Sequence, residues 1–122
     1  MTSAKELTPE MLRPFVGGQI RIESPLIAVT QQGEIWEISI SADIVCVKLR
    51  WLARLVGGVW HETTATTRAF SLRNSQFQME GGLDAGAMTI DCPLSRDYFV
   101  LYPAGRLSNL SWAAVIKQPQ TV

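Results

Sequence analysis

The sequence predicts an all-β fold, a small antiparallel barrel or sandwich of six to seven strands with a short N-terminal helix, formed by residues 1–122 as a single domain. Two observations predict it. From Gly33 to Leu72 three consecutive runs alternate apolar and polar residues, the period of a half-buried strand. The junctions between these runs carry turn residues, Ala42-Asp43 and Gly57-Gly58.

The N-terminal segment LTPEMLRP carries a helix start, with Thr8 as N-cap, Pro9 at the first helical position and Leu7 placed to pack on Leu12. Pro14 ends that helix after about one and a half turns, because the residue before a proline avoids helical angles. GGQIRIES follows as a first strand with Ile20 and Ile22 inward, and SPLIAVTQQG is a connection with an irregular strand at Leu26–Val29.

In GEIWEISI, Trp36, Ile38 and Ile40 alternate with Glu37 and Ser39. In IVCVKLRWLARLV the apolar row is Val45, Val47, Leu49, Trp51, Ala53 and Leu55, opposite Lys48, Arg50 and Arg54. Pairing about Ala42 and Asp43 sets Ile40 beside Val45, Ile38 beside Val47, Trp36 beside Leu49 and Glu37 beside Lys48. A second hairpin about Gly57 and Gly58 sets Leu55 beside Trp60, Arg54 beside His61 and Lys48 beside Thr67; two glycines supply the positive φ values that a primed turn needs. Residues 34–72 thus form a meander with Trp36, Ile38, Ile40, Val47, Leu49, Trp51, Leu55, Trp60, Phe70 and Leu72 inward. A helix over 43–56 also fits the spacing of Ile44, Val47, Trp51 and Leu55, but the β-branched run Ile44, Val45, Val47 argues against it.

After Leu72, RNS is a turn, QFQME a short strand and GGLDAG a loop. AMTIDCPLSRDYFVLYPAG reads as a hairpin with Ile90, Cys92 and Leu94 facing Phe99 and Leu101. The tail NLSWAAVIKQPQ fits either a short helix capped by Ser111 and stopped before Pro119 or a last edge strand.

At this length one core buries about two-thirds of the surface of the unfolded chain, so no disulfide is required. Cys46 and Cys92 lie inside strands and are expected as buried free thiols. MTSAKELTPE lacks a basic region followed by an apolar one, and the longest apolar stretch is broken by Arg54. A soluble, cytoplasmic protein with no membrane association is the expectation.

Formal net charge is zero, so no overall field draws the chain to DNA or an anionic surface. The distribution is uneven. Residues 44–76 carry Lys48, Arg50, Arg54, Arg68 and Arg73 against Glu62 alone, between flanks that are mainly acidic. That pattern fits a binding face or simple cross-strand pairing.

Catalytic patterns are sparse. HETTA has Ala65 where a zinc-protease helix needs a second histidine. A zinc site from His61, Cys46 and Cys92 has no supporting spacing, and neither cysteine lies beside a group that would activate it as a nucleophile. GGLDAGA lacks the lysine and hydroxyl of a phosphate-binding loop, and Asp91 with Asp97 is a weak carboxylate pair. No cofactor or metal is expected.

A short helix, a glycine-led strand and a bent meander together resemble the shape of Sm-like and SH3-like barrels, although no motif of either family is present and shape alone assigns no function. The expected role is a non-enzymatic binding or assembly module acting through a protein partner or self-association as a homodimer, with Leu52 and Ile35 as apolar surface opposite the main core row. A second reading is a single-stranded nucleic-acid-binding barrel that uses the basic hairpin with Trp36, Trp51, Trp60, Trp112, Phe77, Tyr98 and Tyr102 as stacking groups. An enzyme centred on His61 comes third. The candidate binding residues are Lys48, Arg50, Leu52, Arg54, His61, Arg68 and Arg73.

Overall fold

A computed structural model describes residues 2–82 and 86–105. The N-terminus forms a two-residue strand β1 (Thr2–Ser3), a 3-10 turn at Ala4–Glu6 and the helix α1 (Pro9–Leu12), which continues as a 3-10 turn through Arg13–Phe15. Thr8 caps α1: its hydroxyl accepts from the Met11 amide at 3.3 Å, with Pro9 in the first turn as expected. Leu7, Leu12 and Phe15 are buried, so this segment plugs the core rather than decorating it.

The remaining strands are β2 (Gln19–Ser24), β3 (Val29–Ser41), β4 (Ile44–Val56), β5 (Val59–Glu62), β6 (Thr67–Ser71), β7 (Gln76–Met79), β8 (Met88–Cys92) and β9 (Asp97–Tyr102). All pairings are antiparallel, in the order β1-β7-β8-β9-β2-β3-β4-β5, with β6 on β4 beside β5. The all-β expectation holds. The count is nine strands among the described residues instead of six to seven, and the sheet is not closed into a barrel: β1 and β5 stand at the two ends of its path. The sheet nevertheless curls, since Phe70 of β6 stacks on Phe99 of β9 with ring centroids 4.3 Å apart although three strands lie between them. The core cluster fills that curl with Ile20, Ile22, Val45, Val47, Phe77, Met88, Ile90 and Leu101.

The two long strands carry the main difference from the sequence reading. Below the middle of the β3–β4 hairpin the register is the expected one, with Ile40 beside Val45, Ile38 beside Val47 and Glu37 beside Lys48. Above it the register is also the expected one, Glu34 beside Trp51 and Gly33 beside Leu52. Between them Ile35 pairs with Leu49, which leaves one extra residue on each strand, Trp36 on β3 and Arg50 on β4. Each bulge exchanges the two faces of its strand. Ile35 and Leu52, expected outside, are fully buried, whereas Trp36 is exposed and Trp51, Leu55 and Trp60 are only partly buried instead of inward.

Gly33 shows why the strands bend here. A side chain at that position would start 2.5 Å from the Trp51 carbonyl oxygen and 3.1 Å from Leu52 Cδ1, so only glycine allows the close approach. The β4 partners on the far side keep the register predicted about Gly57 and Gly58 throughout: Arg54 beside His61 and Leu55 beside Trp60 on β5, then Lys48 beside Thr67 and Val45 beside Phe70 on β6. The strand breaks between β5 and β6, where single backbone bonds from Thr63 N to Leu52 O and from Leu49 N to Thr66 O maintain the line.

The β8–β9 hairpin forms as expected and sets Ile90 beside Phe99 and Met88 beside Leu101, but its turn spans residues 93–96, so Asp97 pairs with Cys92 and Leu94, expected to face the partner strand, lies exposed in the turn. Cys46 and Cys92 are free thiols, Cys92 in the core and Cys46 half-buried. The centre of the GGLDAG loop and the tail with Trp112, expected as a helix from Ser111 or as an edge strand, lie outside the described residues. No helix among the described residues is long and apolar enough to cross a membrane.

Candidate functional site

The face exchange sorts the seven candidate residues into separate places. Lys48 and Arg50 lie on the outer side, each held by an acid: Lys48 Nζ is 3.2 Å from Glu37 and Arg50 Nε is 3.2 Å from Glu34. Lys48 also sits over the exposed Trp36 ring, 5.7 Å from its centroid, a cation–π contact. Leu52 is in the core. Arg73 is exposed in the turn after β6, next to the β3–β4 turn, where Leu72 N donates to Asp43 O. These four do not form a common surface.

Arg54, His61 and Arg68 do come together. Paired residues project to the same side of a sheet, and side chains two apart on a strand share that side. Leu52 is buried on the core side, so Arg54 projects to that side too, as do Gln31 and His61, its cross-strand partners. Arg68 pairs with the buried Val47 and is therefore also on the core side. The curl brings it to Gln31, whose Oε1 accepts from the Arg68 guanidinium at 2.9 Å, while Thr67 O accepts a second bond at 3.0 Å. Burial, and after it the nearby charge of Arg54, hold the Arg68 guanidinium below its ordinary pKa. Two guanidinium groups thus lie close enough to repel, and among the described residues neither forms an ion pair.

The core side continues beyond these charges to the tip of the β4–β5 hairpin. Val56 and Val59 face each other across it, two residues on from Arg54 and two before His61, and both are exposed at just over 40%. The adjacent β2–β3 connection ends at the same edge of the sheet, since Thr30 pairs with Leu55. It carries Leu26 and Ile27 at 69% and 63% exposure, on a 3-10 turn closed by Ala28 in the left-handed conformation. The β8–β9 turn, with Leu94, lies at this end as well because Glu23 pairs with Tyr98. Five exposed aliphatic side chains from three turns therefore mark one end of the sheet. Sequence reasoning missed Val56, Val59, Leu26 and Ile27; the available signal was that all four flank turns that no core row reaches.

The alternative chemistries are not assembled by the fold. Cys92 is buried in the core, with Ser71 O 3.8 Å from its sulfur; Cys46 lies on the outer side of β4 and His61 at its far end. Burial pushes the Cys92 thiol up, a hydrogen bond with Ser75 opposes this, and the charges of Asp91 and Asp97 add to the rise. A thiol of that kind is a poor nucleophile. Asp91 and Asp97 fall on opposite sides of the β8–β9 hairpin, paired with Tyr98 and Cys92. No group of three or more metal-ligating side chains exists among the described residues.

Of the aromatic residues offered for base stacking, Phe77 is buried, Trp36 and Tyr98 are exposed, and Trp51, Trp60 and Tyr102 are intermediate. The outer face between them is bridged by a buried amide pair, Gln32 Nε2 donating to Gln19 Oε1 at 2.8 Å. Compared with protein families, with curated proteins and with solved structures, the chain matches none.

Proposed function

We propose that the protein is a non-enzymatic binding module that docks a protein partner at the end of the sheet marked by the β2–β3 and β4–β5 turns. The observation that carries this reading is the gathering of Leu26, Ile27, Val56 and Val59 in the open on two adjacent hairpins. Isolated exposed aliphatic residues are ordinary, but a cluster contributed by neighbouring turns has a hydration cost that a partner relieves. The surface differs from the one that Leu52 and Ile35 suggested, because both of those side chains are spent on the core.

Site-specific photo-crosslinking tests the reading. A photoreactive residue at position 59 should give a discrete adduct in cells that express the chain, and the same residue at the exposed position 78 on β7 should not. An adduct of twice the chain mass identifies a second copy as the occupant. No adduct at 59, or the same smear from both positions, refutes a docking role for this end.

A further inference from the structure

The corner formed by Arg54, Arg68 and His61 adds a chemical preference to that docking surface. The other arginines and lysines on the described strands are neutralised locally, Lys48 by Glu37, Arg50 by Glu34 and Arg21 by Glu23. Arg54 and Arg68 stand apart from that pattern. Arg68 is half-buried and its donors are partly engaged by neutral acceptors, Gln31 Oε1 and Thr67 O, which orient the guanidinium without cancelling its charge. Arg54 lies on the same side and approaches closely enough to perturb Arg68. The acid nearest in sequence, Glu62, pairs with Ala53 and so projects to the opposite side.

Bringing two like charges together on a partly desolvated surface is unfavourable unless an anion completes the arrangement, and guanidinium groups are suited to hold a carboxylate through paired hydrogen bonds. Val56 and Val59 adjoin this corner on the same side of the hairpin. A free phosphate would use the charges and leave these aliphatic groups wet. A chain segment with acidic and aliphatic side chains uses both. We infer that the corner receives an acidic, aliphatic segment of another protein, its carboxylates meeting Arg54 and Arg68 and its apolar side chains covering Val56, Val59 and the adjoining tip. This rests on the docking function proposed above and names the partner's chemistry.

Fluorescence anisotropy with the full chain tests it. The probes are a labelled peptide alternating glutamate and valine, the same peptide with glutamine for glutamate, and labelled oligothymidylate. The glutamate peptide should bind at least about tenfold more tightly than the glutamine peptide, and each of Arg54→Gln and Arg68→Gln should weaken it about tenfold or more. Lys48→Gln, on the outer side, should leave binding unchanged. Arg54 is exposed, so Arg54→Gln carries the test if thermal melts show that Arg68→Gln perturbs folding. Equal binding of the two peptides overturns the acidic preference while leaving a docking role intact. Parental affinity in Arg54→Gln, or no binding of the glutamate peptide, also overturns it, and the position 59 adduct then judges docking independently. Tighter binding of oligothymidylate than of the glutamate peptide assigns the corner to nucleic acid and refutes the inference.

Discussion

Leu52→Ala is the sharpest test of the face exchange between β3 and β4. An uninterrupted alternation would leave Leu52 on the surface, where truncation changes stability by no more than about 0.5 kcal/mol. In the structure Leu52 is fully buried, and its Cδ1 lies over Gly33, its cross-strand partner. Removing the isobutyl group costs the transfer free energy of the lost carbons and also leaves a cavity. Collapse into that cavity is restricted, because the facing residue has no side chain to fill it and the backbones already approach closely at Gly33. Leu52→Ala should therefore fall in the upper part of the range for such truncations, about 3 to 5 kcal/mol. A compensating methyl at position 33 should not rescue it: the new Cβ would still stand 2.5 Å from the Trp51 carbonyl oxygen, which Leu52→Ala leaves in place. Urea unfolding of the parent, Leu52→Ala and the Gly33→Ala/Leu52→Ala pair measures all of this. A loss below about 1 kcal/mol for Leu52→Ala, or a double variant more stable than Leu52→Ala, would refute the bulged geometry.

Two further perturbations follow from the packing. Gly18→Ala should abolish folding or cost more than about 3 kcal/mol, because the added methyl would overlap the Tyr102 carbonyl oxygen and meet the Pro103 carbonyl carbon at 2.9 Å, both backbone atoms that cannot swing away; a cooperative melt close to the parent's would contradict this contact. The raised Cys92 pKa means that the folded chain holds the thiol proton more tightly than the unfolded one, so this contribution is complete below the ordinary thiol pKa and is lost as pH rises through the folded value; stability should decline on the alkaline side with a slope that Cys92→Ala reduces, and identical pH profiles for the two proteins would contradict it.

Much of the architecture was legible because it depends on local signals. Thr8-Pro9 at the helix start, the glycine pair at 57–58 and the alternation of Val45, Val47 and Leu49 each act through nearby backbone geometry, and the structure follows all three. The two extra residues, Trp36 and Arg50, were not legible for a definite reason. They occur at matching places on both strands, so the turn, the strand lengths and the pairs on either side agree with an unbulged hairpin. Only the faces differ, and tryptophans at 51 and 60 made the wrong side look like the more apolar one. A glycine within a strand at 33, with acids at 34 and 37 seeking Arg50 and Lys48, was the trace of the bulge in the sequence. The basic corner was partly legible, since Arg54 beside His61 follows from the turn, but bringing Arg68 to Gln31 requires the curl of the whole sheet.

The matched insertions in β3 and β4 behave like a reading frame that is shifted and shared by two strings. Loss of Trp36 alone or of Arg50 alone would throw the two strands out of step with each other. Loss of both would remove the bulges and leave ordinary alternation with the present faces, since Leu49 and Leu52 would then stand two apart, as would Ile35 and Ile38, and Arg54, Val56, Val59 and His61 would keep their side. Flattening both bulges with every residue retained is what would turn the upper hairpin inside out, moving Trp51, Leu55 and Trp60 toward the core and Arg54, Val56, Val59 and His61 outward while Thr30 still met Leu55. The identity of the docking surface is thus set by whether each strand bulges between Glu34 and Glu37 and between Lys48 and Trp51, as much as by which residues the strands carry.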